Sequence, residues 1–184
     1  MGPAISDYPQ INELCSYIRS QDMPMSVASF RADSVTQELV DALAQSGQRT
    51  LTLAPEAGSE KIRHIINKGI EEEHLFKSIS MGINAGVKNY RLYIMVGLPN
   101  EDENDIKAIV DMTICLKQYM EKLGSKGTLT LSINPFIAKP CTPFQWSAMA
   151  DLKQTEKYFK YIKSELKKYK NIEVQFESTK ESFI

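Results

Sequence analysis

Two rhythms alternate along this chain: short β-rich runs, and longer stretches in which apolar residues recur every three or four positions. That succession predicts βα units around a parallel sheet or barrel rather than an all-helical domain. There are about five such runs. The first is a stub, Gly2 to Ser6, followed by a helix around Ile11 to Ser20. The second, Met25 to Phe30, leads to Ser34, which can cap a helix with Gln37 completing the reciprocal pair. Val35, Leu39, Val40 and Leu43 supply that helix's buried stripe, and Gly47 ends it.

The third run, Thr50 to Ala54, meets Pro55-Glu56-Ala57-Gly58-Ser59, where Ser59 caps a short helix carrying Ile62, Ile65 and Ile66 and closed by Gly69. A helix through Leu75, Ile79 and Ile83 stops at Gly86. The fourth run, Asn89 to Val96, breaks at Gly97-Leu98-Pro99, and the next helix is acidic at its start (Glu101, Asp102, Glu103, Asp105) and basic near its end, as the helix dipole favours. Run five spans Thr128 to Ile133. A last helix, from about Asp151 to Lys170, buries Phe159, Ile162, Leu166 and Tyr169 and turns its lysines outward as a solvated face. Ile172 to Phe176 alternates like a strand, and both chain ends look cut. There is no sequence repeat beyond the βα rhythm.

At 184 residues and 42% hydrophobic the chain can bury a core, and one domain is the natural count. Twenty-two basic against twenty-three acidic residues leave a net charge of −1, so there is no electrostatic footprint for nucleic acid or a membrane surface. A small, uncharged or zwitterionic ligand fits that balance better. No apolar run approaches the roughly 20 residues of a membrane span, and Met1-Gly2-Pro3 opens without a basic, then apolar, leader, which predicts a cytoplasmic protein. Cys15, Cys115 and Cys141 are too scattered for a disulfide framework or a metal set. Cys15 and Cys115 fall in helical patterns and read as core packing.

In parallel α/β folds ligands bind beyond the carboxyl ends of the strands, and the residues there are polar and constrained. Run two ends at Ser29 and Arg31, run three at Glu56, run four at Gly97-Leu98-Pro99, run five at Asn134-Pro135-Phe136. Glu56 could accept hydrogen bonds from vicinal ribose hydroxyls, or serve as a helix-start carboxylate. Gly97 could let the main chain approach a planar ring or a phosphate, or simply form a βα turn. Lys68 can complement a helix C-terminus. His64 and His74 read as exposed or packed imidazoles. The stretch Ser132 to Trp146 runs a strand into three prolines, three aromatics and a lysine, too specific for an ordinary connecting loop.

Four ordered segments resemble the radical S-adenosylmethionine (SAM) superfamily, especially a cobalamin-associated subgroup. They are Ser29-Phe30-Arg31-Ala32-Asp33; Leu53 to Glu60 with Ile66-Asn67-Lys68-Gly69; Tyr93 to Glu101; and Asn134 to Trp146. The resemblance implies a partial (βα) barrel with about four to five parallel strands and outer helices, covering residues 1–184 from the end of barrel strand two through strand six and the following helix. It implies that Glu56 meets the SAM ribose and Lys68 the methionine carboxylate. Met95, Val96 and Gly97 then flank the adenine, and Ile133, Asn134 and Phe136 close over it mainly through backbone. Ser29 and Arg31 face the same pocket. Where the subgroup usually carries proline and histidine in the last loop, this chain has Ala138 and Cys141, which leaves position 141 without an assigned role.

Radical SAM chemistry needs three cysteine thiolates, spaced three and two residues apart, to hold a four-iron, four-sulfur cluster whose fourth iron SAM ligates. This chain has no such triplet. The resemblance therefore implies the later portion of a radical SAM core, with the first strand, the cluster loop and any cobalamin domain missing, inactive alone. The parent would be an iron–sulfur oxidoreductase or transferase. Two rivals stand: a non-catalytic binding or scaffold module that self-associates through open barrel edges, and a phosphate-binding α/β enzyme using Gly58 or Gly97 at a helix start. The second lacks a lysine-bearing phosphate loop and ranks last.

Overall fold

The computed structural model describes residues 5–177. Four strands, β1 (Thr50–Glu56), β2 (Asn89–Val96), β3 (Leu129–Pro135) and β4 (Ile172–Phe176), form one parallel sheet in which chain order and spatial order coincide. Helices α1 (Ile11–Ser20) and α2 (Gln37–Gln45) precede the sheet. Next come α3 (Glu60–Ile65), α4 (Glu72–Asn84), α5 (Glu103–Lys122) and α6 (Leu152–Leu166), which fill the crossovers.

The period of two along β2 decides how the layers assemble. Tyr90, Leu92, Ile94 and Val96 are buried and sit in register with Leu51 and Leu53 of β1 and Leu129, Leu131 and Ile133 of β3, so one sheet face is continuously apolar. Onto it pack Leu39 and Leu43, Leu75 and Ile79, Ile109 and Leu116, and Ile162 and Leu166 from successive helices. The opposite face carries the rows Thr52–Arg91–Thr130–Glu173 and Tyr93–Ser132–Gln175, then Met95 beside Asn134. Arg91 Nη1 donates to Gln175 Oε1 at 2.8 Å across this polar face. Helices on one side of strands that always step the same way are the pattern of part of a (βα) barrel, not of a doubly wound sheet, which is covered on both faces. The mixed α/β expectation holds at that level.

Several local expectations change. Residues 2–4 of the expected first strand lie outside the described residues, as does the chain end at Phe183-Ile184, and Ile5–Asp7 is a single 3-10 turn. Met25 to Phe30 is not a strand but one parallel bridge, Phe30 opposite Leu53. The reason is a side chain: the Gln48 amide bonds both the N–H and the carbonyl of Val27 at 3.2 Å, in place of a ladder partner. The cap of α2 is Thr36, accepting from Leu39 N at 3.3 Å, rather than Ser34, whose hydroxyl instead bonds Ser6 Oγ at 2.7 Å within another 3-10 turn. Gln37 bonds Asp41 and the Met81 carbonyl, not a cap. The last helix stops at Leu166, so Tyr169 is exposed, and Cys115 lies on the exposed side of α5 rather than in the core.

Candidate functional site

The ends of β1, β2 and β3 meet at one edge of the sheet, and what they carry is set by local backbone requirements. The pairing of β1 with β2 slips between Leu53 and Glu56, and Glu56 takes a left-handed φ of +69°. A non-glycine residue seldom adopts that region, and the strain needs support from surrounding contacts. Here Lys68 Nζ donates to Glu56 Oε1 at 3.0 Å, with both side chains about one-fifth exposed. That is the only hydrogen bond to this carboxylate among the described residues. The Lys68 carbonyl accepts from Arg31 Nη2 at 2.8 Å, while Arg31 also forks onto Asp33. Ser29 and Arg31 flank Phe30, whose ring is in the core, so extended backbone turns both toward the other side.

Helix α3 begins at Ser59, whose hydroxyl accepts from Ile62 N at 3.3 Å and donates to Asp105 Oδ1 at 2.6 Å. Asp105 is buried, receives Lys61 Nζ at 2.6 Å, and closes a capping box with Asp102 at the start of α5. The N-termini of α3 and α5 are thereby tied together. Between them Gly58 lets two backbones touch: a Cβ there would lie 2.2 Å from Ile109 N.

Val96 and Ile133 point into the helix-side core and are fully buried, so only their main chain faces the strand ends. Met95 and Asn134, paired in register, lie on the opposite face. Phe136 donates its N–H to the Val96 carbonyl at 2.8 Å and packs with Ala57, Ile62 and Leu98 in a second apolar cluster, edge-on to Phe144 with centroids 6.2 Å apart. This cluster joins the three loops that follow β1, β2 and β3.

Gly97, with φ +89°, does not offer the open approach its sequence suggests. A Cβ there would sit 2.8 Å from the Ala150 methyl, and its N–H is taken by Glu101 Oε2. Burial pushes the Glu101 carboxyl up to about 7 despite hydrogen bonds from the Gly97 and Leu98 amides. In the proline-rich loop, Cys141 (φ +61°) and Trp146 are exposed, the latter at 91%. His64 is exposed, and His74 Nδ1 accepts from Glu71 N in the capping box of α4.

Sequence reasoning passed over Arg63, Glu101 as a loop clasp, and Asp105 as the tie between α3 and α5. Arg63 had one visible signal: it sits beside Ile62 and three before Ile66 on the apolar side of a short helix.

Four parallel strands with helices on one face define an α/β protein consistent with part of a (βα) barrel, the fold class in which ligands lie beyond the carboxyl ends of the strands. Residues 2–113 match the Radical SAM superfamily. The chain is 36% identical over 178 residues to an uncharacterized protein of Methanocaldococcus jannaschii, covering 97% of this chain and 37% of that protein. The chain belongs to the radical SAM superfamily. Among solved structures it resembles Streptococcus suis SuiB bound to S-adenosylmethionine, with TM-score 0.64 at 16% identity over 96% of this chain and 38% of SuiB. It also resembles the Escherichia coli coproporphyrinogen III oxidase HemN, a radical SAM enzyme, with TM-score 0.57 at 15% identity over 86% of this chain and 36% of HemN. These likenesses concern the fold. The chain spans well under half the length of each of these relatives.

The cluster that this family implies does not fit the thiols present. Cys15 is buried in α1, where burial pushes its thiol pKa up, opposite to what thiolate ligation needs. Cys115 and Cys141 lie on α5 and in the loop after β3. Among the described residues no three His, Cys, Asp or Glu side chains form a metal set, and no helix is long and apolar enough to cross a membrane.

Proposed function

We propose that this chain supplies part of a SAM pocket and cannot by its own residues carry out reductive SAM cleavage. The observation that carries the reading is Glu56: a strained carboxylate at the end of a barrel-type strand, partly exposed and engaged only through Oε1 among the described residues. Its partial exposure and remaining acceptor capacity suit vicinal ribose hydroxyls. Lys68 then turns its charge to the methionine carboxylate, with Arg31 holding the Lys68 main chain rather than touching ligand itself. Ser29 lies on the same side. Met95 flanks the adenine with its thioether. The main chain of Val96, Gly97, Ile133 and Asn134 and the ring of Phe136 close the end of the sheet. The three cysteines of this chain do not fit an iron–sulfur cluster. In the parent, the cluster and any cobalamin come from other segments, the reaction is an oxidoreduction or transfer of cytoplasmic type, and the open sheet edges meet the missing barrel portion.

Equilibrium dialysis with SAM tests this. The wild-type chain is expected to bind SAM saturably, and Glu56→Gln to bind about tenfold more weakly, the loss of one charge-assisted interaction. Anaerobic reconstitution is expected to leave no stoichiometric iron. Equal affinity of wild type and variant, or a stable cluster of about four irons per chain, would overturn the proposal.

A further inference from the structure

Arg63 is completely buried on a helix of six residues, and among the described residues its guanidinium has no carboxylate within hydrogen-bonding distance. Nη1 donates to the carbonyls of Ala57 at 3.1 Å and Gly58 at 2.8 Å, and Nε donates to the Ile70 carbonyl. The Arg63 carbonyl accepts from Lys68 N at 2.8 Å. Among the described residues the buried Nη2 has no hydrogen-bond partner, and the carboxylate Oε1 of Glu60 is 3.7 Å away. A buried charge is costly unless its bonds are put to use, and an apolar side chain of similar length would fill this space more cheaply.

The bonds to carbonyls fall on two segments, and Nη1 also reaches Met112 Sδ of α5 at 3.8 Å. Ala57 and Gly58 directly follow Glu56; Ile70 lies two residues beyond Lys68. We infer that Arg63 is a positioning residue that clamps the chain on both sides of α3 and so holds the strained Glu56 opposite Lys68. The inference rests on the reading of Glu56 and Lys68 as the SAM-facing pair. Arg63 touches no ligand. It acts through the carbonyls, which an arginine fork can gather from two directions and a lysine point charge cannot.

The test compares wild type with Arg63→Met, Arg63→Lys, Glu56→Gln and the double variant Glu56→Gln/Arg63→Met in the full chain, by hydrogen exchange and SAM dialysis. Arg63→Met is expected to speed amide exchange about tenfold or more at residues 57–59 and 66–70, leaving β2 and β3 unchanged. SAM affinity is expected to fall about tenfold, with Arg63→Lys intermediate. Because Arg63 works through Glu56, the double variant should bind no worse than Glu56→Gln alone; independent effects would multiply to about a hundredfold. Unchanged exchange, a uniform rise across the sheet, or multiplying losses would overturn the positioning role. If Arg63→Met does not fold, Arg63→Lys carries the same comparisons. If wild type fails to bind SAM while local exchange rises as described, the SAM reading falls and the clamp on the Glu56–Lys68 geometry stands. If wild type binds SAM and Arg63→Met binds equally, the clamp falls and the SAM reading stands.

Discussion

Gly58→Ala is expected to destabilise the protein by about 3 kcal/mol or more, enough to consume much of the stability of an ordinary domain. The methyl would meet Ile109 N at 2.2 Å, Ile109 Cα at 2.6 Å and Ala108 C at 2.7 Å, all main chain within a twenty-residue helix. A flexible side chain could swing away; moving the backbone of α5 strains the Ser59–Asp105 bond and the Lys61–Asp105 ion pair that tie it to α3. The ordinary gain from replacing glycine, about 0.4–1 kcal/mol through a less disordered unfolded chain, is too small to offset this. Gly47→Ala is the control: φ there is +85° with nothing within 4 Å of the new methyl, so only the left-handed strain of about 1–2 kcal/mol applies. Urea midpoints of the two variants separate the mechanisms. Equal losses would mean that the approach of the β1 loop to α5 is not as close as described.

A second large effect concerns pH. Desolvation by burial dominates at Glu101, the Gly97 and Leu98 amides pull the other way, and the charges of Asp105 and Asp102 add repulsion, leaving the carboxyl at about 7 against an ordinary 4.5. The sign follows from proton binding: between those values the folded state holds a proton that the unfolded state has released. The contribution of Glu101 is therefore complete below the unfolded value near 4.5 and is lost as pH rises through about 7. A shift of this size corresponds to at most about 3 kcal/mol. Glu101→Gln keeps an acceptor for the Gly97 N–H without the ionisation. Wild type is expected to lose stability from pH 5 to pH 8 relative to this variant, so that the variant is the more stable protein at pH 8. Parallel stability curves would show that Glu101 ionises freely in the folded state. The effect also reaches the site, since the same amides form the turn at the end of β2.

The elements with strong period were legible in the sequence. The alternation Tyr90, Leu92, Ile94, Val96 marks β2, and it also shows that Val96 must face the helices while Met95 faces the other way. Of that pair only Met95 turns its side chain away from the core, so Val96 can reach the strand ends through its main chain alone. Capping was harder, because Ser34 and Thr36 are both competent and the choice falls on Thr36 when Ser6, far earlier in the chain, takes the Ser34 hydroxyl. Met25 to Phe30 is apolar enough for a strand, yet the Gln48 amide replaces its ladder. Gly97 reads as an open approach, and only the fold brings Ala150 onto it. Arg63 is the extreme case, since its place on the apolar side of a short helix is a weak signal against the rarity of an arginine with no exposed surface. For Ser34, Val27 and Gly97 the deciding contact comes from a residue more than twenty positions away. Glu56 and Lys68, assigned separately by the resemblance to the ribose and the methionine carboxylate, lie 3.0 Å apart as an ion pair that the sequence reading did not include.

The most direct test of the account is a backbone-resolved NMR titration of the labelled chain with SAM in the absence of iron. The account predicts saturable shifts confined to the carboxyl end of the sheet, at Glu56, Lys68, Met95, Gly97 and Asn134. Shifts confined instead to the opposite end, around Gly47, Gly86 and Gly124, or no saturable shift at all, would contradict it.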